Sequence, residues 1–342
     1  MAPDPPGYFP PVRTIPPLSL PHQQTFILLH GRGLSWDTFG ADFISTPFPL
    51  PLPSSLPSSL PSSVGKQEET RLYALRTLYP HAKFVLPVAP RQRATIYARS
   101  IIHQWFDGWH LSSSSLSSSS DDDDDGEEGN QEQEEEWRCI AGLRDTVAHV
   151  HELIRAETAL VGGTSNVVLG GLSQGCAAGL AALLLWDGGE SLGGFLGMCG
   201  WLVFERAVRG VLSGGDGYGR SDDDGYDPFE REDEEGAAVQ QELCVEAKVV
   251  RVLREMLELD GYGQTCRPRS FDTPVFLGHG LADEKVPNAR GRRAADYLRA
   301  AGFHVEWKVY PSLGHWYSGD MLADMASFLT QKTHWDRDNK PS

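Results

Sequence analysis

The chain has 342 residues and a formal net charge of −17, from 47 acidic and 30 basic side chains, and its length allows two domains. The charge is local: residues 121–136 hold 11 acids and no Lys or Arg, residues 216–235 hold 10 acids against Arg220 and Arg231, and the rest carries 26 acids against 28 bases. A near-neutral remainder without a basic stripe argues against nucleic-acid binding, and the acidic runs read as solvated loops.

Much of the chain is too polar or too repetitive to build a core. Residues 1–22 form a proline-rich tail, 45–66 repeat Pro-Ser-Ser-Leu, 111–136 pass from serines into acids, and 213–238 mix Gly with Asp and Glu. The remaining 246 residues suit one α/β domain over 23–335, carrying the three low-complexity stretches as insertions and followed by a short tail at 336–342. Five cysteines, at 139, 176, 199, 244 and 266, are odd in number and lack Cys-x-x-Cys spacing, so they predict buried small residues rather than a disulfide framework or a metal site. No apolar run approaches the ~20 residues of a membrane span, and the start lacks a charged and then apolar leader. The expectation is a soluble cytoplasmic protein with no integral membrane segment.

In chain order, Gln24 to Leu29 is a continuous apolar run, read as a buried strand of a parallel sheet. It ends in His30-Gly31-Arg32-Gly33, where glycines let backbone N–H groups face a ligand and Arg32 reads as a surface cation. Thr70 to Tyr79 predicts a helix with Leu72, Leu75 and Leu78 on one side, stopped by Pro80. Lys83 to Pro87 gives the next strand. Trp105-Phe106-Asp107 combines aromatic and polar groups in a predicted loop, either an aromatic anchor or, with Trp201 further on, a wall for substrate. From Trp137 to Ile154 apolar residues fall at helical spacing.

Asn166 to Ala182 then runs from a β-branched strand through Gly171-Leu172-Ser173-Gln174-Gly175 into small helix formers. That order fits a nucleophile elbow, with the Ser173 hydroxyl held above the sheet in a strained turn. A second Gly-x-Ser-x-Gly match centres on Ser191 but lies between a helix and the strand 194–202, the reverse context, and reads as an ordinary turn. In the polar stretch that follows, Val245 to Leu259 forms one amphipathic helix that either joins the core or caps a pocket. Strands at 273–278 and 305–310 and helices from Asn288 and over 319–330 close the chain.

A serine hydroxyl needs a base within reach, and the base needs an acid to fix its tautomer. Ser173, Asp283 and His315 each follow a predicted strand, in the order Ser, Asp, His of α/β hydrolases, at the carboxyl ends where such sheets hold their sites. His30 and His279, both before glycine at strand ends, read as structural, and Glu284 and Asp260 compete weakly with Asp283.

Leu29-His30-Gly31 with Arg32-Gly33, Trp105-Phe106-Asp107, Gly171 to Gly175, His279-Gly280-x-x-Asp283-x-x-Val286-Pro287, and Tyr310 to His315 together resemble the phospholipase/carboxylesterase family that includes acyl-protein thioesterases. The resemblance implies an α/β-hydrolase fold, a triad of Ser173, Asp283 and His315, and an oxyanion hole from the backbone N–H groups of Arg32 and Gln174. It also implies hydrolysis of a small ester, or of an acylated protein or lipid, without metal or cofactor. Arg32 stands where the family often has leucine, and 204–268 is longer than the family's loop. A silent binding module, or a dienelactone or peptide hydrolase on the same fold, remains open at this point.

Overall fold

A computed structural model describes residues 2–51, 70–108, 128–214, 243–260, 266–332 and 335. The elements in order are strands β1 (Arg13–Ile15) and β2 (Gln24–Leu29), helix α1 (Ala41–Ser45), and strands β3 (Phe48–Pro51) and β4 (Thr70–Tyr73). Helix α2 (Leu75–Leu78) precedes strands β5 (Ala82–Leu86), β6 (Arg91–Ala94) and β7 (Ser100–His103). Helix α3 (Glu128–Val161), strand β8 (Val167–Leu172), helix α4 (Gln174–Leu184), strand β9 (Gly194–Met198), and helices α5 (Glu205–Leu212) and α6 (Val245–Met256) follow. Strand β10 (Val275–Gly280), helix α7 (Asn288–Ala300), strand β11 (Val305–Tyr310) and helix α8 (Gly319–Lys332) complete the described chain.

Seven strands form one sheet in the order β1-β5-β2-β8-β9-β10-β11. All neighbours are parallel except β1, which runs antiparallel to β5 with Thr14 opposite Val85. Successive side chains of a strand face opposite sides. Ile27 and Leu29 therefore enter one core with α3 to α7, while Phe26 and Leu28 enter a second core with α1, α2 and α8. Both faces are covered, as the continuous apolar strands predict.

The chain moves from β2 outward to β5, then returns to the other side of β2 as β8. The carboxyl ends of β2 and β8 thus flank the point where strand order reverses, the crevice in which open α/β sheets bind ligands.

Several local expectations differ. Residues 70–79 are not one helix: β4 pairs antiparallel with β3, Phe48 opposite Tyr73, and only Leu75–Leu78 is helical. Extended pairing suits β3 because its Phe48 and Leu50 are buried on one side; the low-complexity reading of 45–66 therefore begins too early, and its residues 52–66 lie outside the described residues. Residues 1–22 are not merely a tail, since they supply β1 and Asp4, which accepts from the Arg91 backbone N–H at 2.8 Å. Helix α3 starts at Glu128, inside the stretch read as insertion 111–136. Residues 215–238 and 336–342 lie outside the described residues. Of the cysteines, 139, 176 and 199 are buried, but Cys244 is half-buried and Cys266 exposed, and none is in a disulfide.

Helix α6 belongs to the core. Val249, Val250, Val252 and Leu253 are buried in the same cluster as α3, α4 and α7. The alternative of a cap over a pocket is not what forms.

Candidate active site

Ser173 sits between β8 and α4 with φ 57° and ψ −122°, a backbone region that a non-glycine residue occupies only when its surroundings enforce it. Its N–H donates to the Met198 carbonyl at 2.8 Å. The flanking glycines are required by contact: a Cβ on Gly171 would run into the backbone of Gly175, and one on Gly175 into the carbonyls of Leu29 and His30. Close passage of β2, β8 and α4 is what leaves the Ser173 hydroxyl at the sheet's edge. Ser191, in contrast, lies in the loop from α4 to β9.

Three residues from separate parts of the chain converge here, His315 lying 142 positions from Ser173 and 32 from Asp283. His315 Nε2 is 2.8 Å from Ser173 Oγ, and His315 Nδ1 is 2.7 Å from Asp283 Oδ2. An ionised carboxylate can only accept, so Nδ1 carries the proton and Nε2 is left to accept from the serine. Asp283 Oδ1 accepts from the N–H groups of Lys285 and Val286, both at 2.9 Å. Burial raises the Asp283 pKa, but hydrogen bonds from His279, His315 and the Val286 N–H outweigh it and hold the carboxyl well below the usual carboxylate range. It is therefore charged at neutral pH.

His279 and His30 have structural partners. His279 Nε2 lies 2.9 Å from the Val286 carbonyl and 3.2 Å from Asp283 Oδ2. The Ala89 N–H donates to His30 Nε2 at 3.0 Å, so Nδ1 donates to the Gly31 carbonyl at 2.8 Å. Burial lowers the His30 pKa to about 4, which keeps the ring neutral.

Arg32 and Gln174 flank the serine from two elements. Gln174 is the first residue of α4, so its N–H has no intrahelical acceptor and stands at the positive end of the helix dipole. Its side chain is clamped: the Trp105 N–H donates to Oε1 at 3.0 Å and Nε2 donates to the Phe106 carbonyl at 2.8 Å. Arg32 lies in the loop after β2, which is tied down by Gly33 N–H to the His103 carbonyl at 2.7 Å and by Arg32 Nη2 to the Gly108 carbonyl at 2.6 Å.

A cavity of about 190 Å³ opens over Ser173 and His315. Its walls include Arg32, Trp201, Lys285, Val286, and Ile96 and Tyr97 from the connection between β6 and β7. Trp201 is among these walls. Trp105 and Phe106 are not: both are fully buried and absent from the walls, and their backbones hold Gln174 while Trp105 Nε1 donates to the His30 carbonyl at 2.7 Å. Arg32 is half-buried and lines the cavity rather than standing as a plain surface cation. Sequence reasoning missed Lys285, whose signal was its place two residues after Asp283, and Ile96 and Tyr97, for which no local signal exists.

Among the described residues, one cluster has metal-ligand side chains, Cys199, His279 and Asp283. Its donors do not suit a cation. Burial pushes the Cys199 thiol up to about 12, whereas a metal takes the thiolate, and both Asp283 oxygens already accept from four groups.

A doubly covered, mostly parallel sheet with a serine on a strained strand-to-helix turn, and a histidine and an aspartate after later strands, defines the α/β-hydrolase class. The profile of the phospholipase/carboxylesterase family matches residues 127–214 and 264–333 of the chain. Acyl-protein thioesterase 1 of Gibberella zeae is 24% identical over 250 residues, 73% of this chain and 77% of that protein. A probable carboxylesterase of Oryza sativa subsp. japonica is 25% identical over 247 residues, 72% of this chain and 65% of its own length. The crystal structure of Zea mays acyl-protein thioesterase 2 superposes with a TM-score of 0.53 at 20% identity, covering 94% of this chain and 98% of that one, a likeness of fold.

Proposed function

We propose that the chain is a serine hydrolase that cleaves carboxylic esters or thioesters through an acyl-enzyme. Ser173 Oγ attacks the carbonyl carbon as its proton passes to His315 Nε2; the tetrahedral oxyanion then collapses, and His315 returns the proton to the departing alcohol or thiol. Water repeats the sequence to release the acid and restore Ser173. Asp283 keeps the proton on His315 Nδ1 and stabilises the imidazolium. The N–H groups of Arg32 and Gln174 receive the oxyanion, a contribution of about 3–4 kcal/mol per donor in comparable sites.

The observation that carries the reading is the hydrogen-bonded series Ser173, His315, Asp283 at 2.8 and 2.7 Å, facing a cavity. Its completeness disfavours a silent binding module. A cytoplasmic setting is part of the reading, supported by five cysteines of which none is in a disulfide; no described helix is long and apolar enough to cross a membrane. The test is labelling by a fluorophosphonate probe together with turnover of p-nitrophenyl esters and acyl thioesters. Labelling at Ser173 with turnover supports the proposal, and labelling elsewhere or none at all refutes it.

A further inference from the structure

Asp107 is the member of the Trp105-Phe106-Asp107 triplet that the catalytic geometry leaves unused. Its Oδ1 accepts from the Thr95 N–H at 2.9 Å and from Gln104 Nε2 at 3.2 Å, and its Oδ2 accepts from the Thr95 hydroxyl. Gln104 is fully buried, and its Nε2 also donates to the Arg93 carbonyl at 3.3 Å. Burial raises the Asp107 pKa, but the bonds from Thr95, the Gly108 N–H and Gln104 outweigh it and hold the carboxyl below its ordinary value. The group is therefore charged at neutral pH, and its bonds are charge-assisted and stronger than neutral ones.

These bonds end on a part of the cavity wall that is weakly held by itself. Ile96 and Tyr97 sit in the turn Thr95–Tyr97 at the tip of the β6–β7 hairpin. Two non-glycine residues follow in left-handed backbone, Ala98 at φ 49° and Arg99 at φ 62°, conformations that persist only where the surroundings enforce them. Tyr97 is 53% exposed, so packing supplies little of that enforcement. Within the hairpin, the Arg99 N–H donates to the Ala94 carbonyl at 2.9 Å. From outside it, Asp107 grips Thr95, the residue directly before Ile96, by both its backbone and its hydroxyl.

The stretch around Asp107 also braces the rest of the site. The His103 and Gly108 carbonyls hold the loop after β2, and the Trp105 and Phe106 backbones hold Gln174. Asp107 thus ties the Ile96–Tyr97 wall to the frame beside Ser173. The cavity volume of about 190 Å³ falls below the ~300–1,000 Å³ of pockets that enclose drug-sized ligands, so a small shift of this wall changes what the cavity admits.

Building on the serine-hydrolase reading, we infer that Asp107 is a positioning residue for substrate selection: through Thr95 it holds Ile96 and Tyr97 against the cavity and so limits the bulk of the ester or thioester substituent that reaches Ser173.

The experiment measures discrimination, the ratio of kcat/KM for a small ester to that for a bulky one, in two pairs. The acyl group varies in p-nitrophenyl acetate against p-nitrophenyl 3,3-dimethylbutyrate, and the leaving group varies in phenyl acetate against 1-naphthyl acetate. Loss of folded enzyme lowers both members of a pair alike, so the ratio reads the position of the wall. Asp107→Ala is expected to lower the wild-type ratio about fivefold in at least one pair, the scale of a hydrogen bond lost, and the pair that responds identifies the substituent that meets the wall. Tyr97→Ala is expected to lower the same ratio, and Asp107→Ala added to it to change the ratio no further, because both act through one wall. Should Asp107→Ala fail to fold, Thr95→Val, which keeps the shape and removes the hydroxyl bond alone, takes its place in the cycle with a drop of about twofold. A ratio unchanged or raised in both pairs, or effects of the two substitutions that add, overturns the inference while leaving the hydrolase intact. Failure of all four substrates together with failure of fluorophosphonate labelling removes the hydrolase reading itself, and the role of Asp107 in selection with it.

Discussion

His279 and His315 direct ring nitrogens at the same oxygen of Asp283, at 3.2 and 2.7 Å. His279 is fully buried and also reaches the Val286 carbonyl at 2.9 Å, so it ties the turn after β10 to the carboxylate that is hydrogen-bonded to His315. His279→Ala is expected to cost about 2–4 kcal/mol, from the cavity and the carbonyl left without a donor. It is also expected to lower kcat more than it raises KM. Denaturant unfolding and steady-state kinetics check both; an unchanged kcat would mean that Asp283 is held without it.

Ser173→Ala is expected to abolish probe labelling and lower kcat by ~10⁴-fold or more, the scale on which loss of a nucleophile acts. Ser191→Ala, in a loop on the far side of α4, is expected to change neither. Mass-spectrometric identification of the labelled peptide distinguishes the two matches. Labelling of the Ser173→Ala protein would overturn the elbow assignment.

Stability is expected to rise with pH between about 4 and 6.5, because burial lowers the folded His30 pKa to about 4 from 6.5 and the unfolded chain binds more protons in that window. The full contribution is present above ~6.5 and is lost as pH falls toward 4, with a ceiling of about 3 kcal/mol from His30. His149 and His151, also lowered by burial, act in the same direction. Denaturant midpoints measured across this range test the slope, and His30→Asn should flatten part of it.

Replacing Val249 and Leu253 of α6 with serine is expected to cost several kcal/mol, since both side chains are buried among α3, α4 and α7 and the new hydroxyls find no partner. Activity should fall by the same factor for acetate and longer acyl esters. A change in chain-length preference without loss of stability would restore the cap.

Local pattern was enough for the parts of this protein whose physics is local. A β-branched run meeting Gly171-Leu172-Ser173-Gln174-Gly175 has one low-energy outcome, a strand, a turn that excludes any Cβ beside it, and a helix. The strand ends that carry Asp283 and His315 were equally legible, because continuous apolar runs closed by glycine or proline mark buried parallel strands. Tertiary structure decided what depends on partners distant in sequence. Trp105 and Phe106 became supports for Gln174 because α3 and α4 close over them, and no composition signal separates a buried aromatic from a pocket wall. Residues 13–15 and 70–73 became strands because Val85 and Phe48 offered backbone partners, which outweighed the leucine spacing of 70–79. The make-up of the cavity was hidden for the same reason: Arg32, Lys285, Ile96 and Tyr97 come from three separate segments, and only the crossing of β2, β10 and the β6–β7 hairpin sets them around one serine.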